Sequence, residues 1–351
     1  MPTFTAESLR VMSTDFFHAA GFPQGEAEII GRLLVEANLT GHDTHGVRHL
    51  APYLERIRNG QIAAGAPVTV IQETPTTALL DGHRTLGHVA ATRATEVVIQ
   101  KAREQRVAAV AVRNLEHVGR VGAYPELAAR EGLACIAFVN AQGRGLQVTP
   151  FGGIERRMGT NPLSIAFPNP GGDPYLLDMA TSAIAANKAR QAIDRGYPLK
   201  PDLILNAQGE PSTDPSDLID KQGMLLPLGG TQGHKGFGLG VMVDFFSGIL
   251  GGAGTAIVHD GLLNNGTFLI AVDPGAFVDE KTYADQARAL AKYLQDTRTP
   301  AGAPPVMLPG EFESRNRRAR LESGIELEPP VWKSIQQVLA GLRVAEPKPI
   351  A

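Results

Sequence analysis

Three imidazoles, a hydroxyl, a carboxylate and a guanidinium are packed into one stretch, Gly41-His42-Asp43-Thr44-His45-Gly46-Val47-Arg48-His49. It lies between two apolar-periodic segments, and such a density of polar groups is costly to bury without a use. These residue types can hold a metal, move a proton or clamp an acid. His42, His45 and His49 are spaced by three and four, so a helix would place them on one face and make a metal site one reading. Glycines at 41 and 46 weaken that helix. No cysteine pair and no His-Glu-x-x-His accompanies it, so no metal is expected. The plain structural alternative is a helix-linking loop whose histidines only bond to backbone.

Five further groupings carry candidate chemistry. Asn114-Leu115-Glu116-His117-Val118-Gly119-Arg120-Val121-Gly122 follows an apolar β-rich run. A histidine at a strand end, before a glycine turn and a helix, suits acid/base work, and the helix start suits a phosphate. Gly159-Thr160-Asn161-Pro162 offers neutral hydrogen bonds at a loop mouth. Asp178-Met179-Ala180-Thr181-Ser182 runs from strand to helix, where free amides can hold a pyrophosphate or Ser/Thr can simply cap. His234-Lys235-Gly236-Phe237-Gly238 puts an amine beside bare backbone, a place to meet a phosphate. Leu308-Pro309-Gly310-Glu311 is a turn before a basic helical stretch. Each has a bland structural reading; their order and spacing together carry the argument.

Helical and extended segments must position these groups. Thr5 caps a first helix with Leu9, Met12 and Phe16 on one face. Ile29, Ile30, Leu33, Leu34 and Ala37 mark a second, and Leu50, Leu54 and Ile57 a third, stopped by Asn59-Gly60. From about residue 68 the period changes. Strands are expected at 68–71, 77–80, 107–112, 135–139, 163–167, 175–177 and 268–272, with helices at 90–104, 124–130, 182–194, 235–250, 283–294 and 315–321. No Gly-x-Gly-x-x-Gly follows an early strand and no P-loop is present, so a Rossmann domain is not expected. The expected class is mixed α/β (α+β). A helical region over 1–70 packs with 312–345, a mixed-sheet dinucleotide and substrate region spans 71–311, and 346–351 form a tail.

Composition narrows the class. Of 351 residues, 43% are hydrophobic and 20% charged, ordinary for a globular chain. A net charge of -3 gives no footprint for nucleic acid. One cysteine, Cys135, excludes an internal disulfide and fits a reducing compartment. The first residues lack a secretion signal's basic and apolar regions, and no apolar run is long enough to span a bilayer. A cytoplasmic protein with no membrane partner is expected.

Taken together, the six blocks resemble the type-2 malate/L-lactate dehydrogenase family, the NAD(P)-dependent oxidoreductases outside the Rossmann class. The resemblance runs from roughly Ala27 to Leu342. The Gly41-His42-Asp43 tract and the Leu308-Pro309-Gly310-Glu311 block are most similar to the bacterial hydroxycarboxylate dehydrogenase B branch. It implies a homodimer with a mixed-sheet cofactor domain beside a helical domain made from both chain ends. It also implies reversible reduction of a 2-oxo acid by hydride transfer, with NAD, or alternatively NADP, as cofactor. His45 or His117 would be the proton donor. Thr44, Arg48 and Thr160 would meet the substrate. His45, the turn Gly119-Arg120-Val121, the turn Asp178-Met179-Ala180-Thr181-Ser182, His234 with Lys235, and Pro309-Gly310-Glu311 would meet the dinucleotide. Two departures leave the carboxylate clamp open. Thr44 stands where a serine is usual, and Arg48 comes three residues after His45, with His49 at the arginine's usual place. Arg120, Arg144 and Arg157 each offer a charge for a 2′-phosphate. The rival class is a metal-dependent hydrolase or lyase built on His42, His45 and His49.

Overall fold

The computed structural model describes residues 1–257 and 261–350, the side chain of Arg144 excepted. Its centre is a seven-stranded sheet. In chain order the strands are β1 (Thr69–Glu73), β2 (Thr77–Asp81), β3 (Val107–Arg113), β4 (Ala134–Val139), β5 (Leu163–Phe167), β6 (Tyr175–Met179) and β7 (Thr267–Val272). Their spatial order is β1-β2-β3-β7-β4-β5-β6. Only β2 and β3 run parallel; every other pair is antiparallel. The late strand β7 is therefore inserted at the middle, its register running from Thr267 opposite both Val112 and Val139. This is not a doubly wound parallel sheet, in keeping with the missing glycine fingerprint.

The helices are α1 (Ala6–Ala19), α2 (Gln24–Leu39), α3 (Leu50–Arg58), α4 (Gly87–Gln105), α5 (Ala123–Arg130), α6 (Ala186–Arg195), α7 (Pro215–Ile219), α8 (His234–Val243), α9 (Glu280–Gln295), α10 (Glu311–Ser323) and α11 (Pro329–Leu342). Thr5 caps α1 through its hydroxyl, which accepts from the Ser8 amide at 3.1 Å. One core joins the chain ends: Leu9, Phe16, Ile30 and Leu50 pack with Ile325, Ile335 and Leu339. The short strand Thr3–Phe4 pairs with Ile325–Glu326. A second core lies between the sheet and α4, where Ala90, Ala94 and Val98 meet Val110, Val112 and Leu269. Small residues on α4 let it sit close to the strands.

Three features differ from the sequence reading. The C-terminal residues are not a free tail, because the Ile350 amide donates to the Thr3 carbonyl at 2.8 Å. The segment expected as one helix from 235 to 250 is α8 followed by a π-helix, Asp244–Leu250. Asp244 is drawn inward to accept from Asn140 (3.0 Å) and Asn161 (2.8 Å), which favours the wider turn. Phe246 then covers the far sheet face by stacking on Phe138 at 4.5 Å. Residues 199–225 form a small antiparallel sheet with its own core of Leu199, Ile204, Leu218 and Leu225, a unit the periodicity did not reveal.

Candidate active site

The His45 turn is built by its neighbours. Asn38, at the end of α2, donates to Asp43 at 2.6 Å and accepts from the Val47 amide at 2.9 Å. A Cβ on Gly46 would collide with the Asn38 amide, so only glycine lets the turn close on it. From the far end of the chain, Arg320 holds both Asp43 oxygens at 2.7 and 2.9 Å. Together these clamps replace the helix that the His spacing suggested with two short 3-10 turns, 43–45 and 47–49.

That turn meets the end of β3. The rings of His45 and His117 lie 5.7 Å apart and stack at 14°. His49 and Thr160 join them in the wall of a cavity of about 250 Å³, with Arg56, Glu116, Gly119, Val121 and Asn187. His45 and His117 both expose their Nε2 atoms, which bond to no described residue. The Tyr53 hydroxyl sits 2.5 Å from His117 Nδ1. Burial and the neighbouring Glu116 push the Tyr53 phenol well above its usual range, so it keeps its proton. Burial first, then the other imidazoles, hold His117 well below its ordinary value, and His45, His49 and His88 at about 3. The cluster is neutral at pH 7.

Hydrogen bonds fix several ring states. His49 Nε2 faces the Thr44 carbonyl at 2.8 Å, so Nε2 carries the proton and Nδ1 is a buried acceptor without a partner. His45 Nδ1 lies 3.2 Å from the Thr44 hydroxyl. His88, at the start of α4, is buried under the Gly119 turn and edge-on to Tyr53 at 5.9 Å. A Cβ on Gly119 would strike the His88 ring, and Gly119 has φ +72°.

The Gly119-Arg120-Val121 turn presents three successive amides that donate to no described residue, just before α5. Arg120 itself faces inward: it donates to Glu126 at 3.1 Å and lies 3.7 Å from Asp178. Asp178, at the end of β6, accepts from the Gly122 amide at 2.9 Å. Met179 and Ala180 are partly exposed, whereas Thr181 and Ser182 are buried, the Thr181 hydroxyl donating to the Thr160 and Asn161 carbonyls and Ser182 to Ile184. Gly240 of α8 lets Thr181 and Met158 approach its backbone. His234 and Lys235 stand exposed at the first turn of α8, outside the cavity wall. Pro309 accepts from the Leu176 amide (3.1 Å), two residues before Asp178, and Glu311 caps the Leu308 amide (3.1 Å).

Arg48 does not reach the cavity. It lies 3.4 Å from Asp194 of α6, on the other side of the turn. The histidine triad of the metal reading is also parted: His42 turns to Glu313 at 3.1 Å, and no cluster able to hold a metal occurs among the described residues. Tyr53, Arg56 and His88 were missed in the sequence. The signal for two of them was present, since His49, Tyr53 and Arg56 recur at four and three along α3, beside its apolar stripe.

Comparison with known proteins decides the family. The malate/L-lactate dehydrogenase profile matches residues 4–336. The chain belongs to the malate/L-lactate dehydrogenase family. Within this family it is 32% identical to the L-lactate dehydrogenase of Cupriavidus necator over 345 residues, covering 97% of this chain and 98% of the relative. It is 34% identical to hydroxycarboxylate dehydrogenase B of Escherichia coli over 339 residues, 95% and 92% of the two chains. Malate dehydrogenase from Entamoeba histolytica superposes with a TM-score of 0.94 at 28% identity, over 98% of this chain and 99% of that one. Sulfolactate dehydrogenase from Methanocaldococcus jannaschii gives 0.89 at 29% identity, over 99% and 100%. The fold is thus the family's own, and the metal-dependent hydrolase reading has no support.

Proposed function

We propose that the protein is an NAD-dependent 2-hydroxycarboxylate dehydrogenase that reversibly interconverts a 2-oxo acid and a 2-hydroxy acid, and that it acts as a cytoplasmic homodimer. The observation that carries this reading is the meeting of His45 and His117, from turns far apart in sequence, in one cavity beside the free amides of residues 119–121.

The residues fit a nicotinamide dinucleotide. Three unpartnered amides around a left-handed glycine make an anion nest suited to a pyrophosphate. Asp178 keeps its Oδ1 free of any described donor, ready for ribose hydroxyls. The nicotinamide supplies hydride to, or takes it from, the substrate carbon. Around that step, His117 handles the proton. In reduction the doubly protonated ring gives its Nε2 proton to the ketone oxygen while Nδ1–H donates to Tyr53. In oxidation the neutral ring takes the hydroxyl proton at Nε2. His45, stacked on His117, and Thr160 line the same space and orient the oxygen.

NAD is favoured over NADP by charge. Arg120 is buried against Glu126, Arg157 is exposed and pairs with Glu155, and the Arg144 side chain lies outside the described residues. Asp178 and Glu313 instead place negative charge near the turn. The homodimer is supported by an exposed apolar stripe, Leu239, Met242, Phe245 and Ile249, on α8 and its π-helical extension. No helix among the described residues is long and apolar enough to cross a membrane. The single cysteine is a buried thiol, pushed up to about 12 by burial, which fits a reducing compartment.

The test is loss of the reduced-nicotinamide absorbance with a panel of 2-oxo acids, using NADH and NADPH. Turnover of at least one acid with NADH is expected; none with either nucleotide would overturn the proposal.

A further inference from the structure

A 2-oxo acid needs a cation to hold its carboxylate, and Arg48 faces away. Among the described residues, the cavity wall contains one permanent cation, Arg56 of α3. Its side chain is a quarter exposed, at 25%. Its Nη1 donates to both oxygens of Glu116, at 3.0 and 2.9 Å. Glu116 is 1% exposed and also accepts from the His117 amide at 2.6 Å. Both oxygens of Glu116 are thereby engaged, and they fix the guanidinium at one corner. The Tyr53 ring supports the guanidinium carbon at 5.7 Å.

What remains of Arg56 is a defined edge. Nε and Nη2 donate to no described residue, and neither is buried without a partner. In arginine, Nε–H and the neighbouring Nη2–H point the same way, spaced to meet the two oxygens of a carboxylate. Other polar groups of the wall are poor substitutes. The imidazoles are neutral, and His49 offers a lone pair rather than a proton. Asn187 Nδ2 donates to the Thr44 carbonyl at 3.1 Å.

We propose that the Nε/Nη2 edge of Arg56 anchors the substrate carboxylate, with Glu116 as the residue that orients it. This rests on the 2-hydroxy-acid dehydrogenase reading and gives that site its specificity for acids. The same Glu116 carries the backbone amide of His117, so the anchor and the proton-transfer ring are held by one side chain. The ketone carbon is then placed relative to both at once.

The experiment compares a 2-oxo acid with its primary amide in the wild type, Arg56→Gln and Arg56→Lys. Wild type should prefer the acid strongly in kcat/KM. Arg56→Gln should raise KM for the acid about 10- to 100-fold, as expected for lost charged hydrogen bonds, and leave the amide nearly unchanged. NADH binding, read by nucleotide fluorescence, should be unaltered. Arg56→Lys keeps a charge without the fork and should fall between the two. Equal losses for acid and amide, or an acid preference that survives in both variants, would overturn the assignment. If Arg56→Gln does not fold, the Lys variant alone decides by the same ratio. Wild type that reduces no 2-oxo acid would instead sink the dehydrogenase reading itself.

Discussion

The hydroxyl of Tyr53 lies 2.5 Å from Nδ1 of His117, joining the third helix to the end of a central strand. The bond occupies Nδ1 and leaves Nε2 as the free ring nitrogen of a residue that lines the cavity. His117→Ala should therefore lower kcat by about 10²- to 10⁴-fold, the usual weight of a positioned acid/base group. NADH affinity should be nearly unchanged. Tyr53→Phe removes one hydrogen bond and should cost kcat about tenfold. Steady-state kinetics with a fluorescence titration of NADH separate these outcomes. Should His45→Ala abolish turnover while His117→Ala does not, the two imidazoles exchange roles.

The depressed imidazoles set opposite pH profiles for the two directions. His117 is held well below 6.5, chiefly by burial, so it is neutral at pH 7. With His117 as the proposed proton carrier, oxidation would use the neutral ring and should stay near its plateau from pH 7 down through 6. Reduction needs the protonated ring, so kcat for reduction should climb as pH falls over the same interval. Stability follows the same sign. The unfolded chain binds protons at these histidines below about pH 6.5, whereas folded His88 does so only near 3. Their neutral burial costs nothing above that upper value and destabilises the fold as pH drops through the window. Each group contributes a slope of at most about 1.4 kcal/mol per pH unit. Thermal melts at pH 7 and pH 5 should show a lower midpoint at pH 5, and His88→Phe should flatten that dependence.

Glu126 ties the 119–121 turn to helix α10 through Arg120 and Arg317. Burial works against its charge, but Arg120 and Arg317 outweigh it and hold the carboxyl at about 2. It receives Arg120 at 3.1 Å, Arg130 at 2.9 Å and Arg317 at 2.7 Å. Glu126→Gln leaves buried Arg120 with Asp178 at 3.7 Å as its remaining ion pair, and should destabilise by about 3–5 kcal/mol, as for other broken buried pairs. The wild-type contribution is present above about pH 4.5 and is lost as pH falls toward 2. Chemical denaturation at pH 7 should show a lower midpoint, and NADH binding should weaken because the 119–121 turn loses its anchor.

Much of this was legible in the chain, for a definite reason. The strand runs 107–112, 135–139 and 163–167 coincide with strands of the sheet because they are short, almost wholly apolar and rich in β-branched and aromatic residues. Of the six polar blocks, those at 41–49, 114–122 and 159–162 reach the cavity wall, while 178–182, 234–238 and 308–311 supply none of its lining residues. What escaped depends on long-range partners. Nothing local marks Arg320 as the clamp on Asp43, since the two are 277 residues apart. The direction in which Arg48 points is set by Asp194 and by the Asn38-bound turn, not by its spacing from His45. The small sheet at 204–225 has strands of two residues, too short for any period to register.

An exposed apolar stripe runs along α8 and the π-helix that extends it. Leu239, Met242, Phe245 and Ile249 recur at three, three and four, so they share one face, and each is between 40% and 57% exposed. Buried residues of the same segment, Gly240, Val243 and Ser247, face Asn161 and the sheet instead. An apolar row of this kind on a charged surface is stabilised when a second copy covers it, and a two-fold axis would set the same row against itself. Light scattering on wild type should give twice the chain mass. Phe245→Asp places two like charges at that contact and should shift the protein to monomer, with its circular dichroism spectrum kept. A wild type that is monomeric at micromolar concentration, or a Phe245→Asp variant that stays dimeric, would remove this face from the interface.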